Sequence, residues 1–153
     1  MAEIAPPPGF APVQAGGRFL AAIGPILGRQ TGEGLQFGFR VEPHHANAGG
    51  ICHGGMIATF CDTLLPLALQ GANAELRRHR LVTVSLQLDY LAPSRVGAWV
   101  QADVALLKTT RSLVFVQGLV NADGSAVARF SGVLKIGPPI STPTPFLDGD
   151  RKS

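Results

Sequence analysis

The sequence predicts an α+β domain in which an antiparallel β-sheet holds one long apolar α-helix on its concave face. Three observations carry this expectation. Residues Gly54 to about Leu69 form a run rich in Ala, Leu and Met, the pattern of a buried helix. Four strand-like runs follow it, Leu81–Leu91, Val96–Leu107, Ser112–Asn121 and Ala126–Ile136, divided by turn-forming residues. One more, Leu35–Val41, precedes it, with Phe37 and Phe39 in alternation.

Taken in order, residues 1–17 are rich in Pro, Gly and Ala and read as a flexible arm. The domain proper is expected over residues 18–136, and residues 137–153, from Gly137-Pro138-Pro139 onward, read as a flexible tail. Arg18 to Leu27 fits a short helix interrupted at Gly24-Pro25. In the long helix, Pro66 has no N–H to give the Asp62 carbonyl, so the helix either kinks or ends near Leu65. The apolar pattern continues to Leu69 and favours the kink. The last four runs are expected as an antiparallel meander, with Asp123-Gly124 as its strongest hairpin signal. Val82, Val84, Leu86, Leu88 and Tyr90 share one parity and should pack, as should Val96, Ala98, Val100, Ala102, Val104 and Leu106. Ser112–Asn121 is apolar on both parities, as for a strand covered on both sides.

The chain has 153 residues, enough for one domain with a real core. Only 15% of the residues are charged while 46% are hydrophobic, and the mean hydropathy is +0.24. So little charge leaves a small domain short of wettable surface, and an oligomer is expected. The net charge of +3 is mild and not gathered into a stripe, which argues against nucleic acid as partner. Met1-Ala2-Glu3-Ile4 shows no leader pattern, and the charge-poor stretch from Pro43 to Ala74 is broken by His, Asn, Gly and Asp62. A cytoplasmic protein with no membrane partner is the expectation. Cys52 and Cys61 read as two buried thiols, not as a disulfide framework. A zinc site from Cys52, Cys61, His44, His45 or His53 lacks the paired ligand spacing that such sites use, so no metal is expected.

Chemistry concentrates in one segment. Between Glu42 and Glu75 the only ionisable side chain besides histidines and cysteines is Asp62. A carboxylate buried in an apolar helix would be pushed up towards the range of a general base; the alternative is an ordinary exposed Asp on an outer helix face. His53-Gly54-Gly55 stands where loop becomes helix, and free N–H groups of a first helical turn can serve as an oxyanion hole. The alternative there is a glycine-rich helix start with no function. Gly54 and Asp62 lie about 12 Å apart along a helix at roughly 1.5 Å per residue. One chain therefore cannot present both to one carbonyl, and joint action requires Asp62 from a second copy.

The run Asn47-x5-His53-Gly54-Gly55, with Asp62 nine residues after the His, Val82-Thr83-Val84, Tyr90-Leu91-Ala92-Pro93 and Asp123-Gly124-x2-Val127-Ala128, resembles the hotdog-fold acyl-CoA thioesterases of the phenylacetic-acid-degradation type. The resemblance covers about residues 33–136. It implies a hotdog fold, a homodimer with a continuous sheet, pairing into a dimer of dimers, active sites at the subunit interface, and an acyl-CoA substrate cleaved to free acid and CoA with no cofactor. It also implies Asp62 as nucleophile or general base, the Gly54 N–H as the group polarising the thioester carbonyl, Asn47 and His53 positioning substrate, and Thr83 holding the attacking water. The acyl group is left open between aromatic and short or medium chains, in a pocket that Met56, Phe60 and Leu64 help to shape.

For the CoA phosphates, the resemblance points to Arg95 in one turn and Lys108 and Arg111 in another, with Arg77–Arg80 as a third candidate. The first two turns stand at opposite ends of one strand, roughly 36 Å apart at about 3.3 Å per residue. A single CoA reaches both only across two chains. Two other functions share this fold: a hydratase or dehydratase acting on a thioester, and a non-catalytic acyl-CoA binding protein.

Overall fold

The computed structural model describes residues 4–14 and 17–141. The elements run β1 (Ala11–Pro12), α1 (Gly17–Ile23), β2 (Leu27–Thr31), β3 (Gly34–Arg40), α2 (Gly54–Ala72), β4 (His79–Tyr90), β5 (Trp99–Thr109), β6 (Leu113–Ala122) and β7 (Ser125–Pro139). Single 3-10 turns at Pro43–His45 and Leu76–Arg78 flank α2. The strands form one seven-stranded antiparallel sheet in the order β1-β2-β3-β5-β6-β7-β4. Among the described residues no helix is long and apolar enough to cross a membrane.

Helix α2 buries Met56, Ile57, Phe60, Cys61, Leu64, Leu65, Leu67, Ala68 and Leu69, which recur at helical spacing. They meet Phe37 and Phe39 of β3, Val100 of β5, Val114, Val116 and Val120 of β6 and Leu134 of β7. Each such large side chain contributes about 1.5–3 kcal/mol on burial, so this layer contact holds the domain together. The opposite side of the helix carries Gly55 and Asp62, both exposed. Met56, Phe60 and Leu64 therefore belong to the core under the sheet, not to the lining of an open pocket. The helix passes through Pro66 to Ala72 and does not end at Leu65.

The expected four-strand meander is corrected to three. β5, β6 and β7 follow one another, the last two joined by the hairpin at Asp123-Gly124, where both residues take positive φ. β4 instead pairs with β7 at the far edge. The reason lies in residues 91–98, which contain Pro93 and a left-handed Gly97 and cannot make a tight turn. They cross the strand ends: the Leu91 N–H donates to the Val127 carbonyl, and the Gly97 N–H to that of Val41.

The packing parity expected for β4 holds for only part of it. Thr83 pairs with Leu134 and Ser85 with Val133, so Val84 is an extra residue, a β-bulge. Leu81 and Thr83 lie opposite core residues before it, Leu86 and Leu88 after it. Val82 and Val84 are left 50% and 62% exposed on an edge strand. β6 is buried on its helix side, but Leu119 on its other side is 49% exposed, so the chain itself covers only one face.

The chain boundaries also shift. Helix α1 stops at Ile23, and Leu27 enters β2, a strand that the sequence pattern does not disclose. Residues 5–12 are tied to the sheet. Phe10 is buried edge-on against Trp99, with ring centroids 4.9 Å apart, and Arg29 lies over the Phe10 ring. Arg29 and Arg40 donate to the carbonyls of Pro8 and Ala5. Gly38 carries no Cβ because the Trp99 ring occupies that space. β7 runs past Ile136, with Pro139 opposite His79, and residues 142–153 of the expected tail lie outside the described residues.

Gly118 on β6 faces the Phe130 ring, and an added methyl group would strike both that ring and the Asp103 carbonyl. Gly118→Ala is expected to destabilise the fold by about 2–3 kcal/mol, as overpacking does. A thermal unfolding midpoint within about 1 °C of the native protein would contradict this packing, since each kcal/mol moves it by roughly 2–4 °C.

Candidate functional site at the start of the long helix

The loop leading into α2 is pinned from both sides. The Cys52 N–H donates to the Ser94 carbonyl at 2.7 Å, and Ile51 bridges Arg95, which joins the loop to the crossing segment. On the other side the His53 N–H donates to the His45 carbonyl at 2.8 Å. Asn47 shapes the loop internally, its Oδ1 accepting from the N–H groups of Gly49 and Ile51. Gly50 takes φ +76°, which closes this turn. The amide nitrogen of the Asn47 side chain has no partner among the described residues.

A helix begins with four N–H groups that lack helical acceptors. In α2 these belong to His53, Gly54, Gly55 and Met56. His53 is matched by His45, as above. Gly55 donates to His53 Nδ1 at 2.8 Å, and Met56 to the His53 carbonyl at 2.9 Å. Only the Gly54 N–H is without a partner among the described residues. Because His53 Nδ1 accepts, the neutral ring carries its proton on Nε2. The helix start thus offers one backbone donor, at the positive end of the helix dipole, with an imidazole beside it.

Tyr90, at the end of β4, completes this corner. Its hydroxyl donates to the Gly54 carbonyl at 2.7 Å, and its ring lies over Gly54. Burial raises the phenol above its ordinary value, so it keeps its proton as a donor. No local pattern signals this contact, because 36 residues separate its partners.

The corner opens onto a cleft of about 490 Å³. Cys52, Ile57, Ser94 and Val127 are its buried lining residues, and Tyr90, Leu91, Ala92 and Pro93 are among its exposed ones. Asn47, Gly54 and Ile51 border it too. Among the described residues no charged side chain lines it. Burial pushes the Cys52 thiol up to about 11, against a hydrogen bond with Ser94 that lowers it. Cys61 is pushed up to about 12, by burial and then by the neighbouring Asp62. Neither is a thiolate near neutrality. Among the described residues no three His, Cys, Asp or Glu side chains gather to hold a metal ion.

The structure brings some of the sequence-selected residues together and keeps others apart. Asn47 and Gly54 border the same cleft, and His53 caps the helix beside Gly54. Arg95 is exposed beside the same loop, across the bridge to Ile51. Thr83 is half-buried and faces α2 from β4. Asp62 is on the continuous helix, about 12 Å along its axis from Gly54. It is exposed, which corrects the burial expected of it: the helix face that carries it is the one the sheet leaves uncovered. Lys108 and Arg111 are exposed at the opposite end of β5 from Arg95. Of the third basic group, Arg77 is committed to the end of α2, where its guanidinium donates to the carbonyls of Gln70 and Gly71.

Comparison with known proteins gives consistent findings. Residues 49–128 match the family model described as the thioesterase superfamily. A Pseudomonas aeruginosa protein with a provisional esterase name is 30% identical over 131 residues, covering 85% of this chain and 96% of that protein. Human acyl-coenzyme A thioesterase 13 is 31% identical over 96 residues; the match covers 59% of this chain and 64% of that protein, just under two thirds. The fold recurs in a Streptococcus pneumoniae hypothetical thioesterase crystallised with coenzyme A, at TM-score 0.67 and 16% identity, covering 76% of this chain and 88% of that one.

His45 supports the whole loop. It is buried, with Nδ1 accepting from the Glu42 N–H and Nε2 donating to the Ile23 carbonyl. Burial holds its pKa below the ordinary 6.5, a shift that the Ile23 bond opposes. The folded chain thus favours neutral His45. Its contribution is complete above about pH 6.5 and falls as the pH drops through the lower folded value. Denaturant titrations of native protein and His45→Gln should show an advantage for the native chain of about 1–2 kcal/mol at about pH 7.5, shrinking by about pH 5. An advantage that does not change with pH would contradict the buried neutral imidazole.

Proposed function

The chain belongs to the thioesterase superfamily, and on that premise we propose that it hydrolyses the thioester bond of an acyl-CoA to a free acid and CoA. The observation that carries the reading is the single unpartnered N–H of Gly54, facing an uncharged cleft at the positive end of α2. A thioester carbonyl seated there accepts from Gly54, and the negative charge that develops on its oxygen is stabilised by that donor and the helix dipole. Asp62 of a second copy supplies the attack, either directly or by taking a proton from water. Thr83 holds that water, and Asn47 and His53 align the substrate. The C–S bond breaks, and CoA leaves as the thiol with a proton that comes from water; on the direct route water then hydrolyses the acyl–Asp62 anhydride, which frees the acid and restores the carboxylate.

A homodimer is part of this proposal. Asp62 is exposed on the helix face that the sheet leaves bare, and β4 ends the sheet with Val82 and Val84 in the open. Both features suit a second copy, which continues the sheet and brings its Asp62 to Gly54. Pairing of two dimers covers the remaining apolar sheet face around Leu119. Arg95 meets the CoA phosphates at the cleft mouth, with Lys108 and Arg111 reaching them from the other subunit. The cleft's lack of charge suits an acyl group of the aromatic or short to medium aliphatic kind.

Thiol release from a panel of acyl-CoAs is expected for the native protein, and a fall of at least about 100-fold in kcat for Asp62→Asn. Binding without thiol release across the panel, or an active monomer by light scattering, overturns the proposal. Gly54→Pro removes the donor at a position where proline suits a helix. It should be about 100-fold slower than Gly54→Ala, which keeps the N–H.

A further inference from the structure

One peptide group at the site is gripped at both ends. The unit between Gly54 and Gly55 has its carbonyl held by the Tyr90 hydroxyl at 2.7 Å and its N–H held by His53 Nδ1 at 2.8 Å. The Tyr90 ring also rests on Gly54, where an added Cβ would come within 3.2–3.3 Å of three ring and hydroxyl atoms. Gly54 does not have positive φ, so its backbone alone would accept alanine. The close ring contact is therefore the local demand for glycine.

From this geometry we infer that Tyr90 is a positioning residue for the proposed hydrolysis, setting the direction of the unpartnered Gly54 N–H by fixing the peptide that follows it. The inference rests on the thioesterase reading. The Gly54 N–H belongs to the preceding peptide, whose carbonyl accepts from Met56; the Tyr90 and His53 bonds fix the following peptide, so the Gly54 Cα that joins the two planes, and the N–H with it, is held from both sides. An oxyanion donor works through its alignment with the charge that develops in the transition state, so loss of alignment lowers kcat more than it raises KM. The hydroxyl reaches Gly54 from the strand at the sheet edge and sits at the cleft rim, on a residue 56% exposed, so it carries little of the core.

The test uses the full chain and an acyl-CoA that the native protein hydrolyses. Tyr90→Phe keeps the ring and removes the bond. The expected result is a roughly ten-fold lower kcat with KM within about two-fold of native and an unchanged unfolding midpoint. Gly54→Ala should also lose activity, because its methyl displaces the Tyr90 ring; in a Tyr90→Ala background the same substitution should cost little more. A Tyr90→Phe enzyme within about two-fold of native kcat overturns the inference, as does an effect confined to KM or full additivity of Gly54→Ala with Tyr90→Ala. Absence of hydrolysis by the native protein across the panel fails the thioesterase reading itself, a different result from any of these.

Discussion

The site depends on an imbalance of one hydrogen bond. A helix start presents four N–H groups, and here the chain matches three of them, using one histidine as the cap. His53 accepts on Nδ1 and on its carbonyl while its own N–H is taken by His45. His45 in turn is locked to Glu42 and Ile23. Two histidines thus build the entry to α2 and, among the described residues, leave only Gly54 with a donor to spare. Glycine at 54 admits Tyr90, and the loop's other edge is fastened to Ser94 and Arg95. The corner combines local bonds at His53 and Asn47 with bonds from β4, from residues 91–98 and from the Pro43–His45 turn, so the fold itself sets its geometry.

The same helix that creates the donor keeps the acid away from it. Eight residues of unbroken α-helix put Asp62 about 12 Å down the axis, a distance that side-chain flexibility does not close. The apolar stripe of α2 goes to the sheet, and the exposed stripe, with Asp62 in it, faces outward. The low charge of the chain and the bare helix face are two views of one arrangement: the surface lacking charge includes the surface that the proposed dimer buries.

Much of this is legible in the sequence. The periodicity of Gly54–Leu69 suffices for the helix, and alternation with Asp123-Gly124 suffices for the hairpin between β6 and β7. Asn47, His53 and Gly54 stand out because their spacing matches a known pattern; Asn47 and Gly54 border one cleft, and His53 caps the helix next to it. What is not legible depends on long-range pairing. β4 reaches the far edge because of contacts that 91–98 makes with Val41 and Val127, neither of which local pattern discloses. Phe10 reads as part of an arm because its partner, Trp99, is far away in the chain. Asp62 reads as buried because its sequence neighbours are apolar, yet it lies on the helix side that the sheet leaves open.

The bulge at Val84 has a consequence for the spacing of the site along the chain. Thr83 and Tyr90 are separated by an odd number of residue steps, and in a regular strand an odd separation sends two side chains to opposite faces. The extra residue shifts the phase once, so both face α2. The interval between them therefore acts as a reading frame. Insertion or deletion of one residue within it, without loss or gain of the bulge, would leave the hydroxyl at one end in register with the helix and turn the other away. Homologous chains that keep both groups and the bulge keep an odd interval too, whereas a chain without the bulge needs an even one.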